Sequence, residues 1–166
     1  MIGPGTGVAP FRGFLQDRMW HKQNGVDELG PAMLFFGCRH PDADYMYRDE
    51  MERAHADDLV ELSVAYSRLG DAAVPAADYH QTKGYVQHAI ELCGERVWEL
   101  ISSGAIIYIC GDAANMLPDV KEALTKLAQR FDPQISDQAE ATQHSQAQDW
   151  LAQLERESRF LVDAWA

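Results

Sequence analysis

The sequence predicts an α/β fold built on a parallel sheet with helices on both faces. Three features point to it. Short, uninterrupted apolar runs recur along the chain, as in strands covered on both sides. They alternate with longer stretches of helical periodicity. The chain also opens with Met1-Ile2-Gly3-Pro4-Gly5-Thr6-Gly7-Val8-Ala9-Pro10-Phe11-Arg12, a glycine turn that leads straight into an apolar, helix-compatible run.

The elements follow in order. Pro10 to Gln23 reads as a helix, with Phe11, Phe14, Leu15 and Met19 on one side and Gly25 after it. Met33-Leu34-Phe35-Phe36-Gly37-Cys38 reads as a strand buried on both faces. Asp42 to His55 is charged, with apolar punctuation at Tyr45, Met46 and Met51, and suits a surface helix. Leu59 to Tyr66 is a second strand. Leu69 to Thr82 contains Gly70, Pro75 and several alanines without periodicity, which predicts a loop. Tyr85 to Leu92 and Glu95 to Ser103 suit two consecutive helices, ended by Gly104. Ala105 to Cys110 is a third buried strand. Asn115 to Gln129 is helical, with Leu117, Val120, Leu124 and Leu127 inward and Pro118 in the first turn, where proline is tolerated. Phe131 to His144 is polar and Gln-rich, without a helical stripe. Ser145 with Gln148 resembles a capping box ahead of Trp150, Leu151 and Leu154. Phe160 to Trp165 closes the chain as a strand. The sheet then has about five strands.

The chain has 166 residues, enough for one domain with a full core, and 46% of them are hydrophobic and 24% charged, ordinary values for a globular protein. No apolar run has the length of a membrane span. A formal net charge of −12 argues against nucleic acid or an anionic membrane surface as partner, so any phosphorylated ligand must be held by a few local cations. Cys38, Cys93 and Cys110 are odd in number and lack CxxC spacing, and the six histidines are scattered. Reduced thiols in a cytosolic setting fit this better than a disulfide framework or a zinc site, and the histidines show no metal spacing.

Gly3, Gly5 and Gly7 let the backbone turn tightly and approach a ligand without a Cβ in the way. The helix N-terminus behind them presents N–H groups and a positive dipole end, which suits a pyrophosphate. The spacing is neither G-x-G-x-x-G nor a GK[ST] phosphate loop, which argues against a nucleotide triphosphatase. Such a turn ordinarily follows a strand, yet only Met1 and Ile2 precede it. The expectation is a piece of a longer polypeptide whose first strand is largely truncated.

Five stretches are similar to one family: Gly3 to Phe11, Phe36-Gly-Cys-Arg39, Ala65-Tyr-Ser-Arg68, Tyr85-Val-Gln-His88, and Tyr108-Ile-Cys-Gly-Asp112 with Met116. The ending Asp163-Ala-Trp165 completes the set. In this order they resemble the NADPH-binding domain of the diflavin reductases, in the ferredoxin–NADP reductase superfamily. The resemblance is nearest to the NADPH–cytochrome P-450 reductase family and the reductase part of self-sufficient fused monooxygenases. It implies a Rossmann-like, ferredoxin reductase-type domain over residues 1–166. It implies NADPH as cofactor, with FAD and FMN bound by domains absent from this chain and a haem protein as acceptor.

The resemblance also assigns roles. Gly3, Gly5, Thr6 and Gly7 would cradle the pyrophosphate. Ser67, Arg68 and Lys83 would hold the 2′-phosphate, with Tyr85 against the adenine and 2′-phosphate and Gln87 near the same ribose. Arg39 would make a phosphate contact, while Cys38 packs. Cys110 would lie beside the nicotinamide and assist hydride transfer, partnered by Asp163 and by a serine of the FAD domain. Asp112 and Met116 would line the nicotinamide–ribose side. Trp165 would stack on the FAD ring and move aside for the nicotinamide. Two stretches depart from the family pattern. Leu69 to Thr82 is longer than usual, which leaves the placement of Lys83 open, and Phe131 to His144 looks like an insertion. A sulfite reductase flavoprotein, a nitric oxide synthase or methionine synthase reductase, and a stand-alone NADPH-binding module remain as alternatives.

Overall fold

The computed structural model describes residues 1–26 and 28–165. The chain divides into two compact units, Met1–Ala89 and Ile90–Ala166.

In the first unit, a short 3-10 turn, Gly5–Val8, runs into helix α1, Ala9–Gln23. Pro10 stands in the first turn, where its missing N–H costs nothing. Phe11 and Leu15, four apart, are the buried face. Strand β1, Met33–Cys38, pairs in parallel with β2, Glu61–Tyr66, in a register running from Met33↔Glu61 to Cys38↔Tyr66. All six β1 residues are buried, and successive strand side chains point to opposite faces, so both faces of β1 are covered. Ile2 forms a parallel bridge to Phe35, fixed by Phe35 N–H to Met1 O (2.9 Å) and Gly3 N–H to Phe35 O (3.0 Å).

Two expectations are corrected in this unit. The helix expected from Asp42 begins only at Arg48, as α2, Arg48–Ala56. Before it the Asp44 carboxylate takes the backbone N–H groups of Arg39 and His40, and Tyr47 sits at φ 53, so the backbone is committed to a turn. Tyr45 is thereby turned to stack on Phe36, with ring centroids 5.1 Å apart. Second, the stretch expected to be a loop ends in a strand, β3, His80–Lys83, parallel to β2 with Tyr66 opposite Lys83. It has no apolar run because it is a short outer strand of the sheet β1-β2-β3. The Tyr66 hydroxyl donates to Gln81 Oε1 at 2.7 Å across the pair. Helix α3, Val86–Leu92, follows directly, and the division between the units falls within it.

The second unit holds α4, Gly94–Ser102, then β4, Ile107–Asp112, and α5, Met116–Phe131. Val120, Ala123, Leu124, Leu127 and Ala128 form the buried stripe of α5 at helical spacing. Strand β5, Phe160–Trp165, pairs in parallel with β4, from Ile107↔Phe160 to Asp112↔Trp165. The polar stretch after Phe131 is largely helical, which corrects the third expectation. Asp132 caps a single turn, α6, Pro133–Ser136, through Gln134 N–H. Then α7 runs over Glu140–Arg156, so Ser145 lies inside the helix and forms no N-terminal box. The buried positions of α7 are Ala147, Leu151 and Leu154. A stripe that starts on an alanine escapes a search for large apolar residues. Ala147 packs with Ala128 and Ile135, flanked by Trp98 and Trp150, whose rings lie 5.4 Å apart.

No helix among the described residues is long and apolar enough to cross a membrane, and no group of three metal-binding side chains occurs among them.

Candidate functional site

The predicted residues fall into one set in each unit. In the first, the glycine turn has the form a ligand-binding cradle needs. A Cβ on Gly3 would overlap the Gly7 carbonyl oxygen and the Phe11 ring, both within 2.7 Å, so no larger residue fits there. Gly5 sits at φ 56, in the left-handed region, with open space around it. Thr6 is exposed, and the N–H groups at the start of a helix have no intrahelical acceptor.

Ser67 and Arg68 follow β2 directly. Ser67 N–H donates to Cys38 O and Arg68 N–H to Arg39 O, each at 2.9 Å, so the parallel pairing with β1 continues into both turns. The Arg68 side chain is exposed and makes no hydrogen bond or ion pair among the described residues. The β2–β3 register brings Lys83 opposite Tyr66, one residue from Ser67. Lys83 Nζ donates to Gly70 O at 2.9 Å, on the turn that leaves Arg68. The long loop therefore does not carry Lys83 away from the serine–arginine pair. Gln87 lies on α3, and Tyr85, just before α3, is 59% exposed, so its ring is not a core residue.

Arg39 is differently placed. Its Nε donates to Asp44 at 2.8 Å, and the same carboxylate accepts the Arg39 N–H. Burial alone would raise the Asp44 carboxyl, but these bonds and the neighbouring guanidinium hold it below the usual range. Sequence reasoning missed Asp44, although an aspartate after Pro41 in a turn was a visible sign. It also passed over His88, whose Nδ1 accepts the Tyr85 N–H at 3.0 Å.

In the second unit, Cys110 and Asp163 are register partners across β4 and β5, as are Asp112 and Trp165. Cys110 is 4% exposed, and burial, with the Asp163 charge adding to it, raises its thiol above the ordinary value. It is a protonated thiol at neutral pH. Asp163 and Trp165 are exposed, Trp165 by 46%. Both Asp112 oxygens serve the turn into α5: they accept from Ala114 N–H (3.0 Å), Asn115 N–H (2.9 Å), Asn115 Nδ2 (3.0 Å) and Met116 N–H (3.3 Å). The Asn115 side chain foremost, then those backbone groups, lower the Asp112 carboxyl. Met116, half-buried, begins α5 immediately after.

A glycine cradle ahead of a helix, and polar residues at the carboxyl ends of parallel strands, define a nucleotide-binding α/β domain. The chain belongs to the oxidoreductase NAD-binding domain family, which matches residues 1–122. It is 43% identical over 166 residues to a bifunctional cytochrome P450/NADPH–P450 reductase of Bacillus cereus, covering 100% of this chain and 14% of that protein. It is 40% identical over 167 residues to the NADPH–cytochrome P450 reductase of Homo sapiens, covering 100% of this chain and 22% of that protein. Against bifunctional cytochrome P450/NADPH–P450 reductase 2 of Bacillus subtilis it is 41% identical over 165 residues, 99% of this chain and 14% of the relative. The chain thus spans between 14% and 22% of the length of these relatives.

Proposed function

We propose that residues 1–166 are the NADP(H)-binding domain of a diflavin reductase, which positions NADPH for hydride transfer to FAD in an adjoining domain. Electrons then pass through FMN to a haem protein of the cytochrome P-450 type. The observation that carries this reading is the exposed Arg68 guanidinium at the end of β2, unpaired among the described residues, with Lys83 brought to the same turn by the β3 register. In an acidic chain, two cations at a strand end suit a phosphate that distinguishes NADPH from NADH. The names of the relatives, each an NADPH–P450 reductase or a fusion containing one, support the same reading.

The residues fit the cofactor at Gly5, whose left-handed backbone faces open space that a phosphate can approach. Gly5 and Thr6 would hold the pyrophosphate through their backbone N–H groups and the Thr6 hydroxyl, while Gly3 and Gly7, whose N–H groups are bonded to Phe35 O and Pro4 O, would shape the turn around it. Ser67, Arg68 and Lys83 bind the 2′-phosphate, with Tyr85 and Gln87 beside the adenosine. Arg39, tied by its Nε to Asp44, offers its remaining N–H groups to a phosphate. NADPH, when bound, supplies the hydride. Cys110 Sγ keeps its proton, and with its register partner Asp163 it would line the nicotinamide end of the site, where a nearby carboxylate would favour positive charge on the ring. Asp112 fixes the turn that carries Met116 toward the nicotinamide side. Trp165, exposed at the end of β5, would be the aromatic that covers FAD and gives way to the nicotinamide. We place the domain in the cytoplasm, with the FAD and FMN domains of its parent polypeptide and the haem acceptor as partners.

Calorimetric titration with 2′,5′-ADP and with 5′-AMP tests the reading. Clearly tighter binding of 2′,5′-ADP is expected. Equal affinities in a folded chain would remove the 2′-phosphate site.

A further inference from the structure

The segment Lys83–His88 contains an arrangement that the nucleotide roles above do not use. Tyr85 is the residue before α3, and His88 is the third residue of the helix. At that position a glutamate or glutamine side chain commonly accepts the N–H of the residue ahead of the helix, one arm of a capping box. Here the acceptor is an imidazole: Tyr85 N–H donates to His88 Nδ1 at 3.0 Å, and His88 N–H donates back to Tyr85 O at 3.0 Å. The two rings lie 6.2 Å apart, tilted by 36°. Gly84, the residue before Tyr85, takes φ 113, and a Cβ there would collide with the His88 ring. The imidazole therefore closes over the bare backbone of Gly84 and fixes the path between Lys83 and Tyr85.

We propose that His88 is a positioning residue of the nucleotide site: its Nδ1 locks the Lys83-Gly84-Tyr85 backbone so that the Lys83 ammonium and the Tyr85 ring face one 2′-phosphate. This rests on the reading of that site given above. A backbone donor leaves no choice of role, so His88 accepts at Nδ1 and carries its proton on Nε2. Without that acceptor the Tyr85 N–H turns to water, and the segment on either side of Gly84 is free to swing.

The test compares the parent chain with His88→Ala, His88→Phe and His88→Gln, titrating each with 2′,5′-ADP and 5′-AMP and measuring each melting temperature. His88→Gln keeps an acceptor at the capping position, whereas His88→Phe keeps a ring and loses the acceptor. Loss of such a cap weakens what it holds by roughly fivefold. The expected result is a fall of that size in 2′,5′-ADP affinity for the Ala and Phe variants, a smaller fall for 5′-AMP, and near-parental behaviour for Gln. A Phe variant that binds like the parent, a Gln variant as weak as Ala, or equal losses for both ligands would overturn the role. So would Ala and Phe variants that fail to fold while Gln folds, because the bond would then be a cap for the fold alone. A parent with no preference for 2′,5′-ADP would overturn the nucleotide reading and this role together, whereas a selective parent with indifferent variants overturns this role only.

Discussion

Arg68 and Arg39 carry the same charge in different circumstances. Arg39 is committed at Nε to Asp44, while Arg68 has no partner among the described residues. A bond to a charged group is worth ~1.5–3 kcal/mol. Arg68→Ala should therefore weaken 2′,5′-ADP by roughly tenfold to a hundredfold and leave 5′-AMP almost unchanged, as read by calorimetry. Equal losses for both ligands would sink the assignment. The cysteines call for a different measurement. All three are buried, burial pushes the Cys38 thiol up to about 12, and Cys110 is raised as well. The thiolate is the reactive form. Ellman's reagent at pH 8 should react slowly with the native chain and release three equivalents in denaturant. A fast native equivalent would contradict the burial.

The turn between β4 and α5 shows how one side chain sets the direction of an element. Asp112 accepts three backbone N–H groups and the Asn115 amide, where Asn115 itself makes no capping bond. The folded carboxyl lies below its ordinary value. Its contribution is therefore fully present above the unfolded carboxyl pKa of about 4 and is lost as pH falls through the lower folded value. Asp112→Ala should lower the melting temperature by a few degrees at neutral pH, and the gap should close in acid. A gap that widens in acid would contradict this sign. The last helix illustrates a different control. The run Glu140–Arg156 buries Ala147, Leu151 and Leu154, and Ala147 packs with Ala128 and Ile135 beside Trp98, so packing secures a stretch that looks featureless by itself.

At the scale of the molecule, charge and chemistry bound the activity. In a chain of net charge −12, the proposed phosphate recognition would have to rest on a few cations. Hydride leaves NADPH as an electron pair, whereas a haem acceptor takes electrons singly, so flavins must stand between them. The purified, flavin-free chain should bind 2′,5′-ADP yet fail to reduce cytochrome c with NADPH. Measurable reduction would refute the division of labour proposed here. Each unit carries part of the proposed equipment: the glycine turn and the Ser67, Arg68 and Lys83 set in the first, the Cys110–Asp163 and Asp112–Trp165 pairs in the second.

By itself the sequence determined the class of fold, strands β1 and β5, most of α1 and α5, and the candidate residues by position. Apolar runs, glycines and helical periodicity are local signals, and local backbone and solvation preferences decide them. Tertiary structure alone decided what local pattern does not encode. Pairing with β2 made a strand of the polar His80-Gln-Thr-Lys83 and returned Lys83 to the Ser67–Arg68 turn. The Asp44 carboxylate, by taking two backbone N–H groups, delayed α2 to Arg48. The register of β4 with β5 set Cys110 opposite Asp163, fifty-three positions later in the chain. The two strand pairings join residues distant in sequence, so no short window contains both partners; the Asp44 turn is local, but which backbone groups its carboxylate takes is fixed only in the folded geometry.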